Sequence, residues 1–382
     1  MPATQAPSMP VRMTLLIAAA AMPLATGCQS KGPIRAVWVT RSDYRTAEDV
    51  TTIMENCSTA GFNLVVFQVR GNGTVFYPSR IEPWAEQFDF KDPGFDPLQT
   101  ALREAHARNM ELHAWMNIMP AWRGTSPPAC PNQLYHTHPE WFWYDQHGNR
   151  QALSSFYVSL NPCLPEVREY LVNVIDEVVA NYAVDGIHMD YIRFPSEPPA
   201  TPRGSDIDYP YDERTLALFK QDTGLTPDQD KDAWNQWRTD QVTKLVAEIK
   251  TKMVHTRPKT VLAASVGTNR QASLRYFRDG RRWADEGLID QAYPMNYKSD
   301  LATFDEGLAM WLPTSDKYPV VPGLWFARGK TPEEGAAVVR QQIESAIEKT
   351  GNFCLFSYAS LFSSRNPTRR EILLPFLQSL AK

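Results

Sequence analysis

Short apolar runs recur along this chain at residues 34–40, 62–70, 111–118, 186–194, 261–267, 289–297, 319–326 and 352–359. Each is rich in β-branched, aliphatic or aromatic residues, and stretches with helical apolar spacing lie between them at 47–60, 96–109, 165–182, 234–255, 331–349 and 367–380. Strands that alternate with helices pair in parallel, because a helical crossover returns the chain to the same end of the sheet. Eight such units predict an α/β fold, the (β/α)8 TIM barrel, and the 382-residue chain is long enough to build one with insertions.

The connections say which end works. Helix-to-strand links are tight at residues 60–61, 109–110 and 184–186, whereas strand-to-helix links are long at 71–95, 119–164 and 195–211. The elaborated face is therefore the carboxyl end of the strands, where barrels of this kind carry their catalytic groups.

In the fourth run, period-two alternation places His188, Asp190 and Ile192 on one face and Ile187, Met189 and Tyr191 on the other, the second set facing the helices. An acid near the strand's carboxyl end is a catalytic candidate, with His188 one layer deeper. The other strand ends add Asp43, Gln68, Arg70, His113, Trp115, Asn117, Arg193, Tyr297, Trp325 and Tyr358. Sugars present hydroxyl rims and apolar C–H faces, so polar groups set among flat rings suit a glycan. Trp84 and Trp122 fall in the long loops and are expected as stacking platforms, while Trp141 and Trp143 are expected to pack their loop. Glycoside hydrolysis normally takes two carboxyl groups. Asp190 is expected to be the nucleophile or base, and the acid is drawn from Asp43, Asp208, Asp212 or Glu197.

Composition narrows the partners. Lys and Arg number 39 against 43 Asp and Glu, a formal net charge of -4, so the basic surplus that nucleic-acid binding requires is missing. The 11 Trp, 15 Tyr and 17 Phe supply stacking surface instead. His136 and His138 have no further ligand at metal-like spacing, and neither a phosphate loop nor a G-x-S-x-G elbow is present, so no metal or cofactor is expected.

The first residues read as an address. A short apolar run at 13–24 follows Arg12 and precedes Ala25, Thr26, Gly27 and Cys28, which resembles a bacterial lipobox. Residues 1–27 are then a signal peptide, Cys28 a lipid anchor, 28–33 a tether and 34–382 one domain; Gln29 suggests the outer membrane, facing the periplasm. In such a compartment Cys130 and Cys163, both in Pro-rich segments, are expected to pair, and Cys57 and Cys354 to be buried thiols.

The segments AVWVT, FQVRGNGTVFYPSRIEPW, GFDPLQTALREAHARNMELHAWMN, HPEWFWYDQHGN, SLNPCLPEVREYLVNVIDEVVANYAVDGIHMDYIRFP and DYPYDERTLALF resemble the bacterial glycosyl-hydrolase-like family 10, across most of residues 35–330. That family includes divisome-associated lipoproteins that cleave peptidoglycan strands stripped of their stem peptides. The resemblance implies a barrel glycosidase acting on denuded peptidoglycan, with Asp190 and Asp43 at its acidic positions and Arg70, Trp115, Asn117 and Tyr297 lining the site. The family pattern carries Asp where this chain has Thr74, Gly where it has Cys163 and often Asp where it has Tyr191. Two other expectations stand beside this one: a non-catalytic glycan-binding lipoprotein, and a hydrolase of another extracellular polysaccharide.

Overall fold

The computed structural model describes residues 32–194, 207–326, 331–364 and 367–381. Cys28 and Glu197 lie outside the described residues. Ten strands form: β1 Arg35–Val39, β2 Leu64–Arg70, β3 Glu111–Asn117, β4 Pro120–Gly124, β5 Ser154–Ser159, β6 Gly186–Asp190, β7 Val261–Val266, β8 Gln291–Pro294, β9 Gly323–Trp325 and β10 Phe353–Phe356. Eight of them make one parallel sheet in the order β8-β7-β6-β3-β2-β1-β10-β9. Bridges Ala292–Val320 and Met295–Gly323 join its two ends, so the sheet closes into the expected barrel. Helices Ala47–Thr59, Pro97–His106, Pro165–Asn181, Lys231–Thr256, Pro332–Thr350 and Pro367–Ser379 follow the predicted stretches, with ends differing by a few residues at most.

Alternation along the strands builds two cores. Ala36, Trp38, Leu64, Val66, Trp115, Ala263 and Tyr293 fill the lumen, and Val37, Val39, Val65 and Phe67 face the helices. The lumen is tight where polar rings enter it. A Cβ on Gly186 would stand 2.6 Å from the His113 ring, so only glycine lets that imidazole lie against β6.

Two features were not expected. The long link after β3 contains an antiparallel hairpin, β4–β5, and the link after β6 contributes helix Glu213–Thr223. The expected bridge is absent: Cys130 and Cys163 are both free thiols. Their segments are anchored separately. Gln133 Nε2 ties the Cys130 loop to Asn72 O at 3.2 Å, whereas Cys163 is buried and its carbonyl accepts from Arg168 Nη1 at 3.3 Å. Cys57 and Cys354 are buried, as expected. Among the described residues no helix is long and apolar enough to cross a membrane.

Candidate active site

Asp190 is the last residue of β6 and the register partner of Asn117, the last of β3. Its carbonyl accepts from Ile118 N at 2.8 Å, and its Oδ1 accepts from Tyr191 N at 2.7 Å. The residue as a whole is half-buried at the end of the strand. Burial raises the Asp190 carboxyl above its ordinary range; the Tyr191 N–H, the positive charges of Arg193 and Arg278, and the Trp115 indole pull it back. Asn117 is held beside it, accepting from Trp115 Nε1 at 3.1 Å and donating to Gly71 O at 3.1 Å.

Aromatic rings stand on two sides. Tyr297 stacks on Trp325 with centroids 5.6 Å apart and lies 5.7 Å from Phe356, a wall supplied by the ends of β8, β9 and β10. Tyr297 lies close enough to Asp190 for that charge to add to the upward push that burial exerts on its hydroxyl. The Trp325 indole N–H is buried and unpaired among the described residues. The opposite wall comes from the hairpin, whose Tyr157 packs edge-on to Tyr191 at 5.0 Å. Tyr191 does not join the helix-facing layer as alternation predicted. It has φ +48, and this left-handed turn ends the strand and swings the ring toward the hairpin.

The acid candidates separate by what holds them. Asp43 closes a turn over the end of β1, its Oδ2 accepting from Thr40 N at 2.7 Å and Thr40 Oγ1 at 3.0 Å. Burial nevertheless raises its carboxyl above the ordinary range. Asp208 is tied to Lys231 at 2.5 Å and Arg238 at 2.6 Å, and its carboxyl is lowered because those charges and hydrogen bonds outweigh burial. A carboxylate so held is a poor proton donor. Asp212 is the cap of helix Glu213–Thr223, accepting from Thr215 N, Thr215 Oγ1 and Asn161 Nδ2 at 2.9, 2.7 and 3.0 Å. Its oxygens are committed to the fold.

Several expected sugar contacts turn out to be internal. Arg70 is 1% exposed and pairs in both arms with Glu82, Nε to Oε2 at 2.8 Å and Nη2 to Oε1 at 2.6 Å. Its remaining nitrogen donates to Asn117 O and Ile118 O, so it knits β2 to the end of β3 rather than facing substrate. Gln68 is buried and accepts from Arg41 N at 3.1 Å. Trp122 is buried, donates to Ser126 O at 2.8 Å and leans on Phe90, and so is no open platform. Tyr358 turns to helix Ala47–Thr59, accepting from Asn56 Nδ2 at 2.8 Å. Trp84 is half-buried against Phe88. Trp143 packs its loop as expected, donating to Leu160 O at 2.8 Å.

The two lumen histidines lie below the mouth. His188 Nε2 accepts from Trp38 Nε1 at 3.3 Å and meets Ser265 Oγ at 2.9 Å, and burial holds its imidazole neutral, well below the ordinary range. Burial lowers His113 to about 4. Both support the floor of the site. Arg193 stacks over Tyr191 at 5.0 Å. Residues that strand-end reasoning missed are Arg41, just after β1, and Tyr157 on the hairpin; a Tyr within an alternating run, FYVS, was the available signal. Thr74 is buried, its carbonyl accepting from Gly71 N. Among the described residues no group of three His, Cys, Asp or Glu could hold a metal ion.

Glycosyl hydrolase YngK of Bacillus subtilis (strain 168) is 28% identical over 327 residues, 76% of this chain and 59% of that protein. This chain thus spans about three fifths of the Bacillus protein's length. Glycosyl hydrolase DigH of Escherichia coli (strain K12) is 27% identical over 326 residues, 73% of this chain and 69% of that one. In fold, the chain is similar to the PgaB (BpsB) glycoside hydrolase domain from Bordetella bronchiseptica, with TM-score 0.62 at 13% identity over 88% of this chain and 98% of that domain. It is also similar to the catalytic domain of β-amylase from Paenibacillus polymyxa, with TM-score 0.63 at 12% identity over 91% and 98%. The Glycosyl hydrolase-like 10 family matches residues 33–317, and the chain belongs to that family.

Proposed function

We propose that this protein is a glycoside hydrolase that cleaves denuded glycan strands of the bacterial cell wall, anchored by a lipid on Cys28 to the outer membrane and facing the periplasm. The observation that carries the reading is Asp190: a carboxyl that burial raises above its ordinary range, at the carboxyl end of a barrel strand, between the Tyr297–Trp325 stack and the Tyr157–Tyr191 pair. Rings on two sides of an acid fit the apolar faces of a sugar chain held across it. The relatives named glycosyl hydrolases support the same class of reaction.

Asp190 acts as nucleophile or base. For the proton donor, the raised carboxyl of Asp43 meets the electrostatic requirement among the described candidates, and Glu197 is the other choice. Incubating the protein with denuded peptidoglycan, chitin and α-glucans and weighing the products tests substrate and reaction together. Fragments from denuded peptidoglycan alone are the expected result, and Asp43→Asn and Glu197→Gln, assayed side by side, identify the donor. Binding without fragments from any glycan would replace the hydrolase reading with a non-catalytic glycan-binding one.

A further inference from the structure

The hairpin brings Tyr157 over the end of β3, where its hydroxyl accepts from Arg41 Nη2 at 3.2 Å and from Asn117 Nδ2 at 3.4 Å. A phenol that accepts twice still has its own proton to donate. Arg41 is the less satisfied partner. It is 8% exposed, its one side-chain hydrogen bond among the described residues goes to this neutral phenol, and its Nε is buried with no partner. Its guanidinium lies flat over Gly71, where a Cβ would stand 2.6 Å from Arg41 Cζ. Positive charge continues around it: Arg123 sits 5.7 Å from the Tyr157 ring, in a chain whose net charge is -4. Burying a guanidinium is costly unless an anion answers it, and its planar fork matches a carboxylate.

We propose that Arg41 and Tyr157 form an anion-binding subsite that takes the carboxylate of an acidic sugar, beside Asn117, which donates to Tyr157 and is the register partner of Asp190. The inference rests on the glycan-hydrolase reading and adds which glycans are taken: those with free carboxylates, on a lactyl ether or as uronic acids. A neutral sugar would leave the guanidinium unanswered.

The test titrates the full chain carrying Asp190→Asn, which reads binding without turnover, against denuded cell-wall glycan oligomers whose lactyl carboxylates are free or converted to methyl amides. An oligouronide forms a third arm. The free acid is expected to bind about tenfold tighter than the amide, and adding Arg41→Gln or Tyr157→Phe to bring the two within about twofold. Gly71→Ala, which displaces the guanidinium without removing it, is expected to erode the preference likewise, and serves should Arg41→Gln fail to fold. Tight oligouronide binding assigns recognition to the carboxylate alone; its absence assigns it to the lactyl sugar. Equal affinity for free and amidated glycan overturns the subsite. Fragment release by the wild-type protein is scored separately: fragments with equal affinities sink the subsite alone, and acid preference without fragments sinks the hydrolase reading alone.

Discussion

Asn117 and Asp190 stand side by side at the ends of adjacent parallel strands, and the amide is fixed by Trp115 and Gly71 while the acid accepts from the Tyr191 N–H. The amide of the pair comes from β3 and the acid proposed to react from β6. A barrel suits this division, because neighbouring strands hold their last residues in register without help from the loops.

Asp190→Asn is expected to lower kcat/KM on denuded glycan by about a thousandfold or more with little change in Tm, as befits a group needed in the transition state. Wild-type turnover in that variant refutes the assignment.

The pH profile tests the same residue. A nucleophile or base must be ionised, and burial raises this carboxyl, so the acid limb of kcat/KM is expected above the value of about 3.9 usual for Asp. Arg278→Gln removes a charge that favours the ionised form and is expected to move the limb higher still. A limb at about 4 or below would contradict the proposed environment.

The Arg70–Glu82 pair is buried on both sides, with side-chain exposures of 1% and 0%. Glu82→Ala leaves a buried guanidinium unanswered and removes the acceptor of the Tyr170 hydroxyl. A loss of about 3–5 kcal/mol is expected, read as a shift in the urea midpoint. A loss under about 1 kcal/mol would mean that water or another acceptor reaches Arg70.

Acid should weaken the barrel from inside. His113 titrates near 4 when folded against an ordinary 6.5, so between those values the unfolded chain binds more protons. Stability is therefore expected to fall as pH drops below 6.5, this residue's contribution levelling off below about 4. Urea midpoints at pH 7.5 and 5, compared with those of His113→Gln, check this; an equal decline in both proteins assigns acid sensitivity elsewhere.

Asp212→Ala should separate a cap from a catalyst. Losing a helix N-cap costs about 1 kcal/mol, and cleavage is expected to continue at the wild-type rate. Loss of cleavage by a variant that retains its Tm would return Asp212 to the reaction.

The amino-acid order alone determined the eight-fold alternation, the closed parallel sheet, the end that carries the long loops and the acid at the end of the fourth barrel strand, since periodicity and loop length are local properties. It did not determine where polar side chains turn. Arg70 and Asp190 both end barrel strands, yet Arg70 meets Glu82, twelve residues on, and is sealed, while Asp190 remains at the mouth. Asp212 and Asp208 follow the same strand as Asp190, but a helix terminus and the Arg238 and Lys231 charges claim them. Tyr157, in a link read as loop, reaches the site through hairpin pairing with β4 and a bond to Arg41, 116 residues away. Such outcomes belong to the tertiary structure: a charge or hydrogen-bonding group takes the partner that burial and three-dimensional packing bring within about 3 Å, and sequence distance carries no record of that choice.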